Sequence, residues 1–371
     1  MKPYHFLPVF IALIASYVGL HFYAARWIAR AFTLGPAAAS WLRGALLFIA
    51  FLSPFAMFLR RHYQAPALDP FYAACYAWMG VILITAFVFA CSDLAGLALR
   101  RVPGVQAPYL ASFTFAALAF ILVNGFYNAH KVPEVKRVTA SIKNLPQELE
   151  GFKIAQISDL HLDAGWKLRQ LAGIVDLINA EKTDLVLVTG DLIDPGLSDL
   201  EAVRALTLKI QSRLGLFGAL GNHEYYYGLN AAMDCYRTFG IKLLRNDSVE
   251  LGGIRLIGLG DIHTEHLLAR DVTDILARNK NGKFSILMCH QPVYYPEIAA
   301  SGDYFVLSGH THRGQIFPFH IFTKLFYPHF YGLEYIKNSA FYITSGAGTW
   351  GPPLRWLAKA EIPMITLTRA K

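Results

Sequence analysis

The stretch Asp184-Leu185-Val186-Leu187-Val188-Thr189-Gly190-Asp191-Leu192-Ile193-Asp194 decides how the second half of the chain folds. A short apolar run bounded by a glycine reads as a buried β-strand, and this one is followed at once by two aspartates three apart. The same arrangement recurs on either side. Phe152–Ile157 reads as a strand ending on Ser158-Asp159-Leu160-His161, and Leu216–Leu220 as an extended segment ending on Gly221-Asn222-His223-Glu224. Leu168–Ala180 and Leu200–Ser212 carry the apolar spacing of helices, and further strands are expected at Ile254–Gly258, Phe284–Cys289, Tyr304–Leu307, Phe341–Thr344 and Met364–Leu367. Strands alternating with helices imply a layered α/β domain with polar residues at strand ends. Its expected extent is 149–371, preceded by a linker over 131–148 where the composition changes after Lys131-Val132-Pro133.

The first third reads differently. Of 371 residues, 54% are hydrophobic and 16% charged, against about 45–50% and about 25% in soluble domains. Four runs, Leu7–Tyr23, Leu42–Leu59, Phe71–Cys91 and Tyr109–Tyr127, approach the ~20 apolar residues that cross a hydrocarbon layer. Arg26, Arg30, Arg60, Arg61, His62, Arg100 and Arg101 punctuate them, and Tyr23, Trp27, Trp41, Tyr63, Phe71 and Tyr109 stand near their ends, where amphipathic rings favour the membrane interface. A cleaved signal would explain the first run alone, yet Lys2 is a thin basic region, no small-residue cleavage site stands out, and three runs follow. A soluble helical bundle would need charges to coat it, and residues 1–130 offer only Lys2, seven arginines, Asp69 and Asp93. The expectation is a four-helix transmembrane region over 1–130 in an integral, multi-pass membrane protein, with the bilayer as its first partner.

Charge does not orient the spans. One side collects Lys2, Arg60, Arg61, Lys131, Lys136 and Arg137, the other Arg26, Arg30, Arg43, Arg100 and Arg101, which the positive-inside rule cannot separate. Most of the net charge of +8 lies in this first region, so no nucleic-acid-binding face is expected on the second half. Cys75, Cys91, Cys235 and Cys289 lack the spacing of a disulfide framework or a thiolate zinc site.

Five polar clusters carry the chemistry. Besides Asp159-x-His161, Gly190-Asp191-x-x-Asp194 and Gly221-Asn222-His223-Glu224, the chain has Cys289-His290-Gln291 and Gly309-His310-Thr311-His312. Taken singly, each has an ordinary reading as a cap, a turn or a hydrogen-bonded loop histidine. Together they offer four histidines (161, 290, 310, 312), two aspartates and Asn222. This N/O donor set suits Mn, Fe or Zn. It exceeds one tetrahedral shell and suits two ions about 3.5–4 Å apart, bridged by a shared carboxylate. Such a pair serves in-line displacement at phosphorus.

The ordered motifs resemble the calcineurin-like metallophosphoesterase superfamily over about residues 151–368, with all five motifs present. The resemblance implies a pair of β-sheets sandwiched by helices, and two divalent cofactor ions, manganese first and iron or zinc as alternatives. It also implies the ligand sets: Asp159, His161, Asp191 and His312 for one metal, and Asp191, Asn222, His290 and His310 for the other. His223 would face the substrate as a catalytic acid, oriented by Asp194. The tail Ser345-Gly346-Ala347-Gly348, with Pro352, Pro353, Arg355 and Glu361-Ile362-Pro363, resembles the bacterial membrane-associated branch. That branch implies an inner-membrane location, and it includes enzymes that cleave lipid-linked pyrophosphates, such as UDP-diacylglucosamine hydrolases. His312-Arg313-Gly314-Gln315 departs from the commoner H-G-G-Q. Arg313 and Arg355 are candidates for binding a substrate phosphate, each with a structural role as the alternative.

Between Ile316 and Tyr331 lie Phe317, Phe319, Phe322, Phe326, Tyr327, Phe330 and Tyr331, either a lipid-facing element or packing for the domain. The expected function is that of an enzyme: a membrane-anchored phosphoesterase with a dinuclear metal site, hydrolysing a phosphate or pyrophosphate ester of a lipid-linked substrate. A phosphodiesterase of soluble nucleotides that is merely anchored, and a non-catalytic membrane sensor with a metal site, are the alternatives; a sensor would be expected to have lost ligands, and none is missing.

Overall fold

The computed structural model describes residues 3–63, 66–99, 107–163 and 165–370. Lys2, Arg100 and Arg101 lie outside these residues, as does the side chain of Arg61. The chain divides into two compact units, residues 1–127 with 351–354 and residues 128–350 with 355–371.

In the first unit, α1 (Pro3–Ala31), α2 (Pro36–His62), α3 (Asp69–Leu99) and α4 (Ala107–His130) contain four apolar stretches of 21 to 31 residues, long enough to cross a bilayer. Several of their polar groups are paired with one another, as a medium without water favours. Trp78 Nε1 donates to His21 Nε2 at 2.8 Å, Tyr17 Oη to Ser53 Oγ at 3.0 Å, and Ser53 Oγ to the Cys75 carbonyl at 3.0 Å. Tyr23 donates to Asp93 at 2.9 Å, and Arg30 pairs with the same carboxylate. The polar outlier His21 thus serves helix packing.

The second unit begins with β1 (Glu134–Ile142), then β2 (Lys153–Ile157), α5 (Gly165–Glu181), β3 (Leu185–Thr189), α6 (Leu200–Thr207), β4 (Leu216–Ala219), α7 (Asn222–Tyr227), α8 (Leu229–Thr238) and β5 (Lys242–Leu243). There follow β6 (Asp247–Leu251), β7 (Ile254–Gly258), α9 (Ala269–Arg278), β8 (Phe284–Met288), α10 (Tyr295–Ser301), β9 (Tyr304–Ser308), α11 (Phe319–Phe326), β10 (Gly332–Ile336), β11 (Ser339–Ile343) and β12 (Glu361–Arg369).

Two six-stranded sheets result, ordered β1-β12-β2-β3-β4-β5 and β10-β11-β9-β8-β7-β6. β2, β3, β4 and β5 run parallel, as do β7, β8, β9 and β11. The two sheets face each other across one core, where Ile154, Leu185, Leu187 and Phe217 meet Leu256, Ile286, Met288, Phe305 and Leu307. On the outer face of the first sheet, Ile174, Val175 and Ile178 of α5 pack with Val203, Cys235 and Tyr236. On the outer face of the second, Val272, Ile275 and Leu276 of α9 pack with Tyr295 and Ile298. The order of layers is helix, sheet, sheet, helix. β3, β8, β9 and β11 are buried at every residue, which is why they read as mostly apolar runs rather than alternating ones.

Two expectations require correction. The linker placed at 131–148 contains β1, paired in parallel with β12 from Glu134–Glu361 to Ile142–Arg369. As an edge strand it keeps most side chains in contact with water, so it lacks an apolar signature. The helix expected over Leu200–Ser212 stops at Thr207. Asn179 takes over the backbone beyond it, donating to the Lys209 carbonyl at 2.9 Å and accepting from Gln211 N at 2.8 Å.

Candidate metal centre

The strand order places the five clusters side by side, because β2, β3 and β4 are adjacent in one sheet and β8 and β9 in the other. Loops at such carboxyl ends are where α/β sheets form sites. The loops are laced together: Asp159 N donates to Gly190 O at 3.1 Å, His161 N to Asp191 O at 3.0 Å, and Gly309 N to His290 O at 2.9 Å. Asp159, His161, Asp191, His310 and His312 all have φ between 48° and 68°. This left-handed region costs a residue with a Cβ roughly 1 kcal/mol or more. Five such residues in one site indicate backbone bent to aim side chains.

The side chains converge in two groups. Ligand atoms of Asp159, His161 and His312 lie within 4.8 Å of one another, as do those of Asp191, His290 and His310. Asp191 stands between them, with Oδ2 3.2 Å from His290 Nε2 and 3.8 Å from His161 Nε2. Nε2 atoms of His161 and His312 are 3.0 Å apart, and His312 Nε2 is 3.5 Å from Asp159 Oδ1. Asn222 belongs to the same floor: its neighbour His223 donates its backbone N–H to Asp191 Oδ1 at 2.9 Å.

Cations fit this arrangement. Asp159 Oδ2, Asn222 Oδ1 and His290 Nε2 are buried without a hydrogen-bond partner, and buried polar atoms in native proteins are otherwise satisfied. Two glycines permit the approach: a Cβ on Gly309 would fall on Ser158 Oγ and Asp159 Oδ2, and one on Gly221 would strike Asp191 Oδ1.

Outer contacts fix each ring. His290 Nδ1 donates to the Thr189 carbonyl at 2.8 Å, and His310 Nε2 is 2.8 Å from Tyr327 Oη. Asp194 Oδ1 accepts from His161 Nδ1 at 3.0 Å and from His223 Nδ1 at 2.5 Å. A carboxylate only accepts, so both rings carry the proton on Nδ1 and leave Nε2 free of it when neutral. The group formed by His161, Asp194 and His223 is thus closed by its own hydrogen bonds.

Electrostatics follow from this geometry. Burial opposes a charge on His223, yet its bond to Asp194 and that carboxylate's charge raise it to about 9. Burial would raise Asp194, but the charge of His161 and its hydrogen bond, with those of His223, hold it well below the carboxylate range. His310 is lowered to about 3 by burial and then by His290, and His312 falls well below the usual value through burial, His161 and Arg355. Neutral imidazoles are the ligating form.

The structure brings six of the expected ligands, His223 and Asp194 together, and sets the backbone beside Asn222 against Asp191. It does not do so for Arg355 as a substrate contact. That residue is entirely buried, with Nε donating to Gly348 O at 2.7 Å, Nη1 to Ala358 O at 3.0 Å, and Nη2 to Ser345 O and Gly346 O at 2.8 and 3.3 Å. Nη2 also lies 3.2 Å from His312 Nδ1. Fully enclosed and turned toward backbone carbonyls, Arg355 braces the tail loop and the His312 ring. Arg313 is half-buried with its guanidinium 4.3 Å over the Tyr331 ring.

Three contributors escape the sequence reading. Glu224 closes its motif with no role evident from the sequence; its carboxylate accepts from the backbone N–H groups of Asp191, Leu192, Ile193 and Gly221 at 2.7 to 3.3 Å. Tyr327 looked like one aromatic among many. Asp261, three residues past β7, is buried with Oδ2 bound to Thr264 and Oδ1 unpartnered, and its charge helps raise His290 to about 10 behind the larger effects of Asp191 and Asp159, against burial. A carboxylate soon after a strand is the only signal for it.

Known proteins resemble this chain in the same region. The model of the calcineurin-like phosphoesterase family matches residues 152–314. An uncharacterized metallophosphoesterase of Campylobacter jejuni is 36% identical over 341 residues, covering 88% of each chain. One from Helicobacter pylori is 34% identical over 257 residues, covering 68% of this chain and 69% of its own. A zebrafish (Danio rerio) transmembrane protein with a metallophosphoesterase domain is 31% identical over 323 residues, covering 80% of this chain and 73% of its own.

Proposed function

Because the chain belongs to the calcineurin-like metallophosphoesterase family, we propose that it is a membrane-held hydrolase with a dinuclear metal site, acting on a phosphate or pyrophosphate ester of a lipid-linked substrate. Asp159, His161, Asp191 and His312 would hold one divalent ion, and Asp191, Asn222, His290 and His310 the other. Ions bound there would supply an acidified water and neutralise phosphoryl oxygens. Manganese is the first choice for this donor set, with iron and zinc as alternatives.

The protein's own residues do the rest. Asp194 anchors His223 by Nδ1 and favours its charged form, so His223 holds a proton on Nε2 that it can release to the leaving oxygen. Glu224 and Arg355 keep the floor rigid. The observation that carries this reading is the pair of ligand groups meeting at Asp191, with three of their atoms buried and unpartnered. The four long apolar helices, and a relative described as a transmembrane protein, support a multi-pass location, which we assign to the bacterial inner membrane.

The test is purification of the full chain in detergent with Mn²⁺, followed by assay against phospholipids, lipid pyrophosphates and nucleotide diesters. Metal-dependent turnover highest on a lipid-linked substrate is expected. Highest turnover on soluble nucleotides would establish an anchored phosphodiesterase, and none on any phosphoester a sensor.

A further inference from the structure

α11 has its amphipathicity inverted. At 100° per residue, Ile321, Leu325, Phe322, Phe326 and Phe319 form one continuous arc of about 160°. In a water-facing helix that arc would be turned to the core. Here it is outside: these side chains are 45% exposed at Phe319, 50% at Ile321, 54% at Phe322, 74% at Leu325 and 80% at Phe326. The half-buried side is made by His320, Thr323 and the following Tyr327. No residue of α11 is buried.

The helix is nonetheless fastened to the site at both ends. At its start, a Cβ on Gly314, two residues beyond His312, would collide with the backbone of His320. At its end, Tyr327 Oη reaches His310 Nε2 at 2.8 Å. The segment also has a consistent charge: from His310 to Leu333 there is no Asp or Glu, while Arg313 and Lys324 are present.

We propose that α11 is an interfacial helix that seats its apolar arc in the bilayer surface beside the metal centre, so that substrate phosphates enter at headgroup level. The proposal rests on the membrane phosphoesterase reading above and specifies how that site meets its substrate. A bilayer is the fitting occupant because the same chain carries four apolar helices of spanning length, and because aromatic and leucine side chains beside a basic residue, without acids, are what an anionic lipid interface accepts. A second copy of the chain would cover the arc without using that charge.

The full chain can test this after reconstitution into phosphatidylethanolamine/phosphatidylglycerol vesicles containing a doxyl-labelled lipid. A fluorophore is attached at Leu325→Cys in a Cys91→Ser background, which removes the exposed native thiol. Leu208→Cys, at another exposed leucine of the same unit (53%), is the control. The doxyl lipid should quench the label at 325 several-fold more than at 208, and adding Phe322→Ser with Phe326→Ser should bring the two closer. Equal quenching at both positions would overturn the proposal. So would a label at 325 shielded from aqueous iodide yet unquenched by lipid, which would mean a protein partner. Quenching without turnover of any lipid-borne phosphoester would uphold the interfacial helix and reject the substrate class, so the two readings fail separately.

Discussion

Replacing Arg355 by lysine separates a structural arginine from a substrate-binding one. The guanidinium makes four hydrogen bonds to the carbonyls of Gly348, Ala358, Ser345 and Gly346. Burial lowers it only to about 10, so it is charged at pH 8. A lysine keeps the charge but brings one point of donation where a planar fork reached in three directions. At least two carbonyl bonds are lost, each worth about 1.5–3 kcal/mol when the donor is charged, so the expected destabilisation is about 3–6 kcal/mol. For a unit of this size each kcal/mol shifts the midpoint by about 2–4 °C, and the catalytic transition should fall by roughly 6–24 °C. Thermal unfolding in detergent at pH 8, followed by circular dichroism, reads this directly. KM for a soluble chromogenic phosphodiester gives the contrast. A midpoint within about 2 °C of the parent with a KM raised tenfold or more would refute the bracing role and return Arg355 to the substrate.

Further outcomes are expected elsewhere in the molecule. His223→Ala should retain its metal, measured by elemental analysis, while kcat falls by about 10²–10⁴, the usual worth of a positioned acid; full activity would remove the assigned role. Asn222→Ala should lose occupancy of one ion and keep the other, and unchanged stoichiometry would exclude Asn222 as a ligand. Glu265 offers a pH test away from the metals: burial would raise it, but hydrogen bonds from Tyr225, Arg245 and Asn246 lower it. A carboxyl lowered on folding contributes stability above its free value near about 4.3 and loses it as pH falls through the folded one. Glu265→Gln should therefore cost about 1 kcal/mol at pH 7 and progressively less as pH falls through the folded value in chemical denaturation; a constant difference would contradict this.

What could be read in advance was what burial writes into sequence. β3, β8 and β9 lie inside the sandwich and announced themselves as apolar runs, and the ligands stood directly after them. β1 was legible only as a linker, because an edge strand paired through its backbone needs no apolar pattern. The site residues that belong to motifs are legible; Tyr327 and Asp261 are not, because the fold brings their influence to bear on the histidines from distant segments. Arg355 stood open between a substrate phosphate and a structural role, since residue type and position in the tail fit both. In this fold its partners are backbone carbonyls. The exposed arc of α11 was ambiguous for a similar reason: its residue types suit a core as well as a bilayer, and only the direction in which they point distinguishes the two.

The central claim is that Asp159, His161, Asp191, Asn222, His290, His310 and His312 together bind two ions that share Asp191. It is tested most directly by loading the purified full chain with Mn²⁺, removing excess metal, and combining elemental analysis with electron paramagnetic resonance. The account predicts two manganese per chain with the signal of an exchange-coupled pair, reduced to an uncoupled signal in Asp191→Ala. A folded protein that binds one isolated ion, or none, would contradict it.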